Sequence, residues 1–216
     1  MTQLTDNTNT KKKLLLHICC GPCAEYPVEV LRPDYDITLF FYNPNIHPRV
    51  EWYRRLEGAK KLAEIKGLPL IVHGGFNELP WRDLPDDAYR RCGYCYGIRL
   101  RRTAEFAAAE GFDYIGTTLS VSPYQDFDRM KKIGDSLAAQ FGLTYIPDDF
   151  RPGFREGQRM AREDGIYRQK YCGCCISFSE SDFYEKVVRQ HESYEIPADL
   201  AVLDPTSEEV LCRWTG

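Results

Sequence analysis

Residues 13–31 read KLLLHICCGPCAEYPVEVL and join a short apolar run to three closely spaced cysteines. The apolar run over residues 13–18 predicts a buried β-strand, and residues 24–31 predict a helix. Cys19, Cys20 and Cys23 would then lie at the carboxyl end of a strand and the amino end of a helix. Backbone N–H groups and the helix dipole favour a thiolate there, and open α/β sheets hold their ligands at this edge. We therefore expect a ligand site at these cysteines.

Strand and helix patterns alternate along the chain as far as residue 146. The apolar patterns predict further strands at 37–42, 68–72, 113–117 and 143–146, and helices at 50–66, 95–110 and 125–141. Such alternation is typical of the α/β class, with a parallel, doubly wound sheet and helices on both faces. Helices predicted at 155–163 and 179–191 flank a third cysteine group, which predicts a C-terminal helical, cysteine-bearing extension.

The chain divides into three parts by composition. Residues 1–12 are polar without apolar periodicity and predict a disordered N-terminus. Residues 13–190 predict a single α/β domain that binds metal and carries the catalytic site. Residues 191–216 form an acidic C-terminal tail, in which six acids and no base fall between 192 and 209, and which we expect to be irregular because of Pro197 and Pro205.

Overall composition excludes several classes of protein. The 216 residues are 43% hydrophobic and 28% charged, which excludes collagen-like, low-complexity and largely disordered chains. No apolar run approaches the roughly 18 residues of a membrane span, and the run before His17 is too short for a signal peptide. We expect a cytoplasmic protein with no membrane partner. A net charge of −4 argues against a surface that binds nucleic acid throughout, but it allows a local basic face.

Eight of the nine cysteines fall into three short groups, and Cys212 stands alone. The groups are CCGPC with Cys19, Cys20 and Cys23, CGYC with Cys92 and Cys95, and CGCC with Cys172, Cys174 and Cys175. Cysteines at this spacing can aim thiolates at one metal, although spacing does not choose between iron and zinc. Two other interpretations are small buried side chains and, for CGPC, a thioredoxin-like dithiol. The dithiol leaves six clustered cysteines unexplained.

Five motifs in order resemble one family of enzymes. They are HICCGPC at 17–23, FYNPNIHP at 41–48, RCGYCYGIRL at 91–100, TTLSVSP at 117–123 and YRQKYCGCC at 167–175. Together they resemble the cobalamin-independent epoxyqueuosine reductases, the QueH family, over about residues 14–179. The resemblance implies a Rossmann-like fold of the adenine nucleotide alpha-hydrolase (HUP) type. It also implies the last step of queuosine formation in tRNA, in which the wobble-base epoxide loses its oxygen as water and leaves an alkene.

The resemblance further implies two iron cofactors and assigns their ligands. A [4Fe–4S] cluster would be held by Cys92, Cys95, Cys172 and Cys174, and an additional iron by the catalytic Cys19, Cys20 and Cys23. Cys175 is an addition to the family's CGC pattern. The substrate would be a tRNA that carries epoxyqueuosine, and an external low-potential donor would supply the electrons.

The reaction also needs a proton donor and contacts to the tRNA. Candidate proton donors beside the motifs are Asp149, Tyr124, Tyr167 and Tyr171, which the sequence does not rank, and Tyr124 is also a candidate to stack on the modified base. Candidate phosphate contacts are Arg99, Arg151 and Arg168. Two functions from other classes stay open, a zinc-binding RNA adaptor without chemistry and a thiol–disulfide oxidoreductase.

Overall fold

A six-stranded sheet forms the centre of the protein, whose computed structural model describes residues 11–77 and 87–215. The strands are β1 Lys12–His17, β2 Tyr35–Tyr42, β3 Leu70–His73, β4 Tyr114–Thr117, β5 Thr144–Tyr145 and β6 Val210–Trp214. Their spatial order is β5-β4-β1-β2-β3-β6. All neighbouring pairs are parallel except β3 and β6, which are antiparallel. The expected α/β, Rossmann-like class is confirmed.

Eight α-helices connect and follow these strands within the described residues. They are α1 Gly21–Leu31, α2 Arg49–Lys66, α3 Ala88–Ala109, α4 Phe127–Gln140, α5 Phe154–Glu163, α6 Cys175–Ser179, α7 Tyr184–Glu192 and α8 Ala198–Ala201. Helix α1 packs against α2 and α5, and α3 packs against α4 and against strands β1, β2 and β4. None of the described helices combines the length and apolar composition that crossing a bilayer requires.

The central strand β1 is buried because its residues are apolar on both faces. Leu14, Leu15 and Leu16 have no exposed surface, as is usual for a parallel strand between two neighbours. Since β1, β2 and β4 run parallel, their carboxyl ends meet at one edge of the sheet. His17, Tyr42 and Thr117 end these strands, and the residues that follow them build the candidate site.

The structure differs from the sequence-based expectation in four places. The predicted disordered N-terminus lies outside the described residues at 1–10, but Lys12 already pairs with Tyr35. Helix α3 begins at Ala88, where the Asp87 side chain accepts a hydrogen bond from Tyr89 N, so CGYC lies inside a helix and not in a loop. The helix predicted at 179–191 begins only at Tyr184, as α7, and a separate short helix, α6, precedes it. The expected irregular end is wrong at Val210–Trp214, which forms β6.

Candidate metal centre

Three cysteines, here called the Cys19 set, follow directly from β1. Cys19 and Cys20 follow the strand after one residue, Ile18, and Cys23 lies in the first turn of α1. The sulfurs of Cys19, Cys20 and Cys23 all lie within 4.8 Å of one another, and each residue is at most 5% exposed. Three buried sulfurs at such distances could hold one metal ion. The expected convergence of CCGPC is confirmed, without a distinction between metals.

A close approach between α1 and α2 fixes the start of α1. A Cβ atom on Gly21 would lie 2.5 Å from the carbonyl oxygen of Gly58 and 2.7 Å from Cγ2 of Ile166. No side chain fits there, so glycine between Cys20 and Pro22 lets the helix begin directly against its neighbour. This contact holds the Cys19 set at the edge of the sheet.

The thiols of the Cys19 set differ in how readily they lose a proton. Hydrogen bonds from Cys20 and Cys23 hold the pKa of Cys19 well below its ordinary value, whereas burial raises the pKa of Cys20. The sulfurs of Cys19 and Cys20 are 3.6 Å apart. Cys20 is 1% exposed and its thiol form is favoured, which argues against thiol–disulfide exchange because that reaction needs an accessible thiolate.

A second group, here called the Cys92 set, consists of Cys92, Cys95, Cys172 and Cys174. The first two lie in α3, and the other two lie in the loop before α6. Burial, together with the neighbouring Cys95 and Cys174, raises the pKa of Cys172 to about 12, although the residue as a whole is exposed. Cys95 also interacts electrostatically with Cys19. The structure thus brings the two sets next to each other.

The two remaining cysteines occupy different places. Cys175 is the first residue of α6 and interacts with Cys174. Cys212 lies in β6 opposite Val72, on the far side of the sheet order from β4, and its electrostatic neighbours are Lys60 and Asp199. Cys212 therefore does not belong to either set.

Three side-chain amides donate hydrogen bonds to cysteine sulfurs, and sequence reasoning missed all three. Asn45 Nδ2 donates to Cys95 Sγ at 3.2 Å, and Gln125 Nε2 donates to Cys172 Sγ at 3.5 Å. Gln169 Nε2 donates to the sulfurs of Cys20 at 3.0 Å and Cys23 at 3.4 Å. Asn45 and Gln169 lie within the motifs FYNPNIHP and YRQKYCGCC, and that placement was the available signal.

A buried ion pair supports the loop that carries Cys172. The side chains of Arg55 and Glu51 have no exposed surface, and Arg55 Nε donates to Glu51 Oε1 at 2.7 Å. The Arg55 guanidinium also donates to the carbonyl oxygens of Tyr171 at 3.0 Å and Cys172 at 2.9 Å. His191 Nε2 lies 2.9 Å from the other oxygen of Glu51. Burial raises the pKa of Glu51, but Arg55 and His191 outweigh this effect and leave the pKa below its ordinary value.

A cavity of about 320 Å³ adjoins both cysteine sets. Cys19 and Cys23 contribute from the first set and Cys172 from the second. Tyr124 stands at this cavity with 85% of its surface exposed, and its ring meets that of Phe154 edge-on at 6.4 Å between centroids. The other lining residues are Leu119, Ser122, Gln125, Gln158, Gln169, Lys170 and Tyr171.

Comparison with known proteins identifies the family. A family model described as epoxyqueuosine reductase QueH matches residues 14–182. The chain belongs to the QueH family. A relative from Dehalococcoides mccartyi, named epoxyqueuosine reductase QueH, is 32% identical over 167 residues, which cover 76% of this chain and 92% of the relative. One with the same name from Thermotoga maritima is 33% identical over 179 residues, which cover 77% and 91%.

The QueH match contains both cysteine sets. Residues 14–182 run from β1 to beyond α6 and include all eight clustered cysteines. Cys212 and strand β6 lie outside the matched range. The resemblance stated from the five motifs is therefore confirmed, and the lone cysteine is separate from the family's sequence pattern as well as from the two sets.

One predicted proton donor and one predicted phosphate contact do not suit their expected roles in this QueH chain. Asp149 is exposed and accepts two hydrogen bonds from the guanidinium of Arg151, at 2.8 and 2.6 Å, and a third from its backbone N–H at 3.0 Å. Arg151 holds the pKa of Asp149 below its ordinary value, so this carboxylate is a poor proton donor, and it does not line the cavity. Arg99 is 2% exposed and therefore does not lie on a surface that phosphates reach.

The other predicted residues occupy accessible positions. Arg151 is exposed and its guanidinium also lies 4.9 Å from the centre of the Phe127 ring. Arg168 is half-buried. Of the four candidate proton donors, Tyr124 and Tyr171 line the cavity, and the Tyr171 phenol already donates to the carbonyl oxygen of His47. The role of Tyr124 in catalysis, like the phosphate contacts of Arg151 and Arg168, stays a prediction.

Proposed function

We propose that this protein reduces the epoxide of epoxyqueuosine at the wobble position of a tRNA to the alkene of queuosine, the last step of queuosine formation. Membership of the QueH family supports this reaction. The observation that carries the proposal is the cavity wall, where Cys19 and Cys23 stand beside Cys172 of the other set. A substrate in this cavity would contact both candidate metal sites at once.

The cysteine sets suit two iron groups. We assign a [4Fe–4S] cluster to Cys92, Cys95, Cys172 and Cys174, and an additional iron to Cys19, Cys20 and Cys23. Both sets offer only sulfur donors, which select iron–sulfur clusters, zinc or copper(I), and amide N–H groups point at sulfurs of both sets. When bound, these groups would supply single electrons at low potential and a Lewis acid for the departing oxygen.

The chemistry requires two electrons and two protons for each epoxide. Both C–O bonds break, the carbon–carbon double bond forms, and the oxygen leaves as water. An external low-potential donor is the proposed source of the electrons. Tyr124 is the proposed proton donor, because its phenol stands at the cavity and is accessible to solvent.

The cavity wall also suits a nucleobase that has been flipped out of the base stack of the tRNA. Enzymes that act on a nucleobase commonly extrude it into a pocket and hold it by stacking on aromatic side chains. Tyr124 and Phe154 offer ring surfaces, while Gln158 and Lys170 offer polar contacts. Outside the cavity, the Arg151–Asp149 ion pair is exposed and screened by solvent, so a tRNA phosphate can replace Asp149 as the partner of Arg151. We place the protein in the cytoplasm with its tRNA substrate.

Metal analysis and single-turnover kinetics on anaerobically purified protein test this function. We expect about four to five irons and four acid-labile sulfides per chain, with an absorption band that dithionite bleaches. Cys92→Ala should abolish epoxide reduction while tRNA binding persists, and Cys212→Ala should keep full turnover because this thiol lies away from both sets. Retained turnover in Cys92→Ala would overturn the assignment. One zinc per chain without sulfide would favour the RNA adaptor instead.

A further inference from the structure

A buried arginine next to the cysteines has no carboxylate partner in the part of the chain that the structure describes. Arg99 lies in α3, one helical turn after Cys95, and is 2% exposed. Within residues 11–77 and 87–215, no carboxylate oxygen lies within 4 Å of its guanidinium, in contrast to Arg55, which pairs with Glu51. A guanidinium keeps its charge under all ordinary conditions, and a buried charge needs a counter-charge. The charge of Arg99 must therefore be balanced by another group.

The hydrogen bonds of Arg99 lead to a cysteine sulfur. Its Nε and Nη2 atoms both donate to Asn45 Oδ1, at 2.9 and 2.6 Å. This double contact sets the orientation of the amide, because Oδ1 must face the guanidinium and Nδ2 must face the other way. Nδ2 then donates to Cys95 Sγ at 3.2 Å. Arg99 also interacts electrostatically with Cys19 of the Cys19 set and Cys172 of the Cys92 set.

The hydrogen bonds from Arg99 through Asn45 to Cys95 form one arm, that is, a donor on α3 and the side-chain amide that it orients toward a cysteine sulfur. A second arm of this kind starts one residue after Cys95. Tyr96 OH donates to Gln125 Oε1 at 2.8 Å, which orients that amide, and Gln125 Nε2 faces Cys172 Sγ at 3.5 Å. In both arms a donor on α3 fixes an amide whose N–H group points at a sulfur of the Cys92 set. The two arms thus reach two different cysteines, and a donor on α3 defines the orientation of each amide.

We infer that Arg99 is the buried counter-charge of the cysteine centre and, with Asn45 as relay, a positioning residue that makes the bound cluster easier to reduce. This inference rests on the proposed [4Fe–4S] assignment. Reduction adds negative charge to a cluster and its thiolates, and nearby positive charge and hydrogen bonds to sulfur stabilise that state. Arg99 and the two amides therefore raise the reduction potential toward the range of an external donor.

Redox titration of the iron-loaded protein, followed by electron paramagnetic resonance, tests the inference. Arg99→Gln should make one-electron reduction at least tenfold less favourable, a shift of about 59 mV to more negative potential. Arg99→Lys should recover part of this loss because it keeps the charge. Arg101→Gln is the matched control, since it removes the same charge from an exposed position on the same helix and should leave the potential unchanged.

The Gln125 arm provides a second variant with less risk to folding, because Gln125 is only half-buried. Gln125→Leu should shift the potential in the same direction as Arg99→Gln, by a smaller factor. Potentials equal to the wild-type value in both variants would overturn the inference while leaving the proposed function intact. A wild-type chain that binds no iron and sulfide would overturn the proposed function, and the inference with it.

Discussion

Replacement of Arg55 by methionine should separate the stability of the fold from the support of the metal centre. Arg55 and Glu51 have fully buried side chains, and Arg55 also donates to the carbonyl oxygens of Tyr171 and Cys172. Removal of one partner from a buried ion pair costs about 3–5 kcal/mol. Such a loss is a large part of the roughly 5–15 kcal/mol that usually stabilises a protein. We expect Arg55→Met to lower the free energy of unfolding by about this amount.

A double variant distinguishes the buried charge from the loop contacts. Glu51→Gln combined with Arg55→Met removes both charges, so part of the lost stability should return. The carbonyl oxygens of Tyr171 and Cys172 remain without their donor, and iron retention by the Cys92 set should stay low. The control is Lys61→Met on the same helix, which removes an exposed cation that also donates to a backbone carbonyl, that of Gly165.

Urea unfolding and iron content after anaerobic reconstitution measure the two effects. We expect the control to change stability by less than about 1 kcal/mol and to retain its iron. The reasoning would be refuted by an Arg55→Met protein that loses less than about 1 kcal/mol and binds as much iron as the wild type. Full recovery of iron binding in the double variant would show that charge balance, and not the carbonyl contacts, supports the loop.

Three further predictions concern stability and substrate binding. Burial raises the pKa of Glu25 from 4.5 to about 7, so its ionisation lowers stability as pH rises through this range. Glu25→Gln should be neutral near pH 4.5 and stabilising by up to about 3 kcal/mol near pH 8, and equal effects at both values in urea unfolding would contradict this. Gly21→Ala should destabilise the protein by at least about 1–3 kcal/mol, because the added Cβ would collide with α2. Gly97→Ala has open space around the added Cβ and should stabilise α3 by about 0.5–1 kcal/mol. Thermal unfolding measures both effects. Tyr124→Ala should weaken binding of the modified tRNA by about 1–3 kcal/mol in a filter-binding titration, and Tyr124→Phe should bind normally but turn over slowly; full turnover would exclude the phenol as proton donor.

Local patterns predicted the fold and the cysteine sets, whereas contacts distant in sequence decided the details. The β1 strand and the cysteine site at CCGPC were predictable because the apolar run and the cysteines that follow it lie within 11 consecutive residues. The start of α3 was missed because Gly93 and Gly97 are poor helix formers, although Asp87 is a recognisable N-cap residue. The burial of Arg99 depends on Asn45, 54 residues away, and no local pattern reports such a partner.

Strand β6 gives the sheet a protected edge. Residues 70–73 of β3 are all buried, and β6 satisfies the backbone groups on their outer side. A chain cut after residue 182 would keep both cysteine sets but leave this apolar strand as an open template for pairing with another molecule. The opposite edge strand, β5, is only two residues long and offers little to pair with. We therefore expect a version of the protein without the C-terminal segment to self-associate more readily than the full chain.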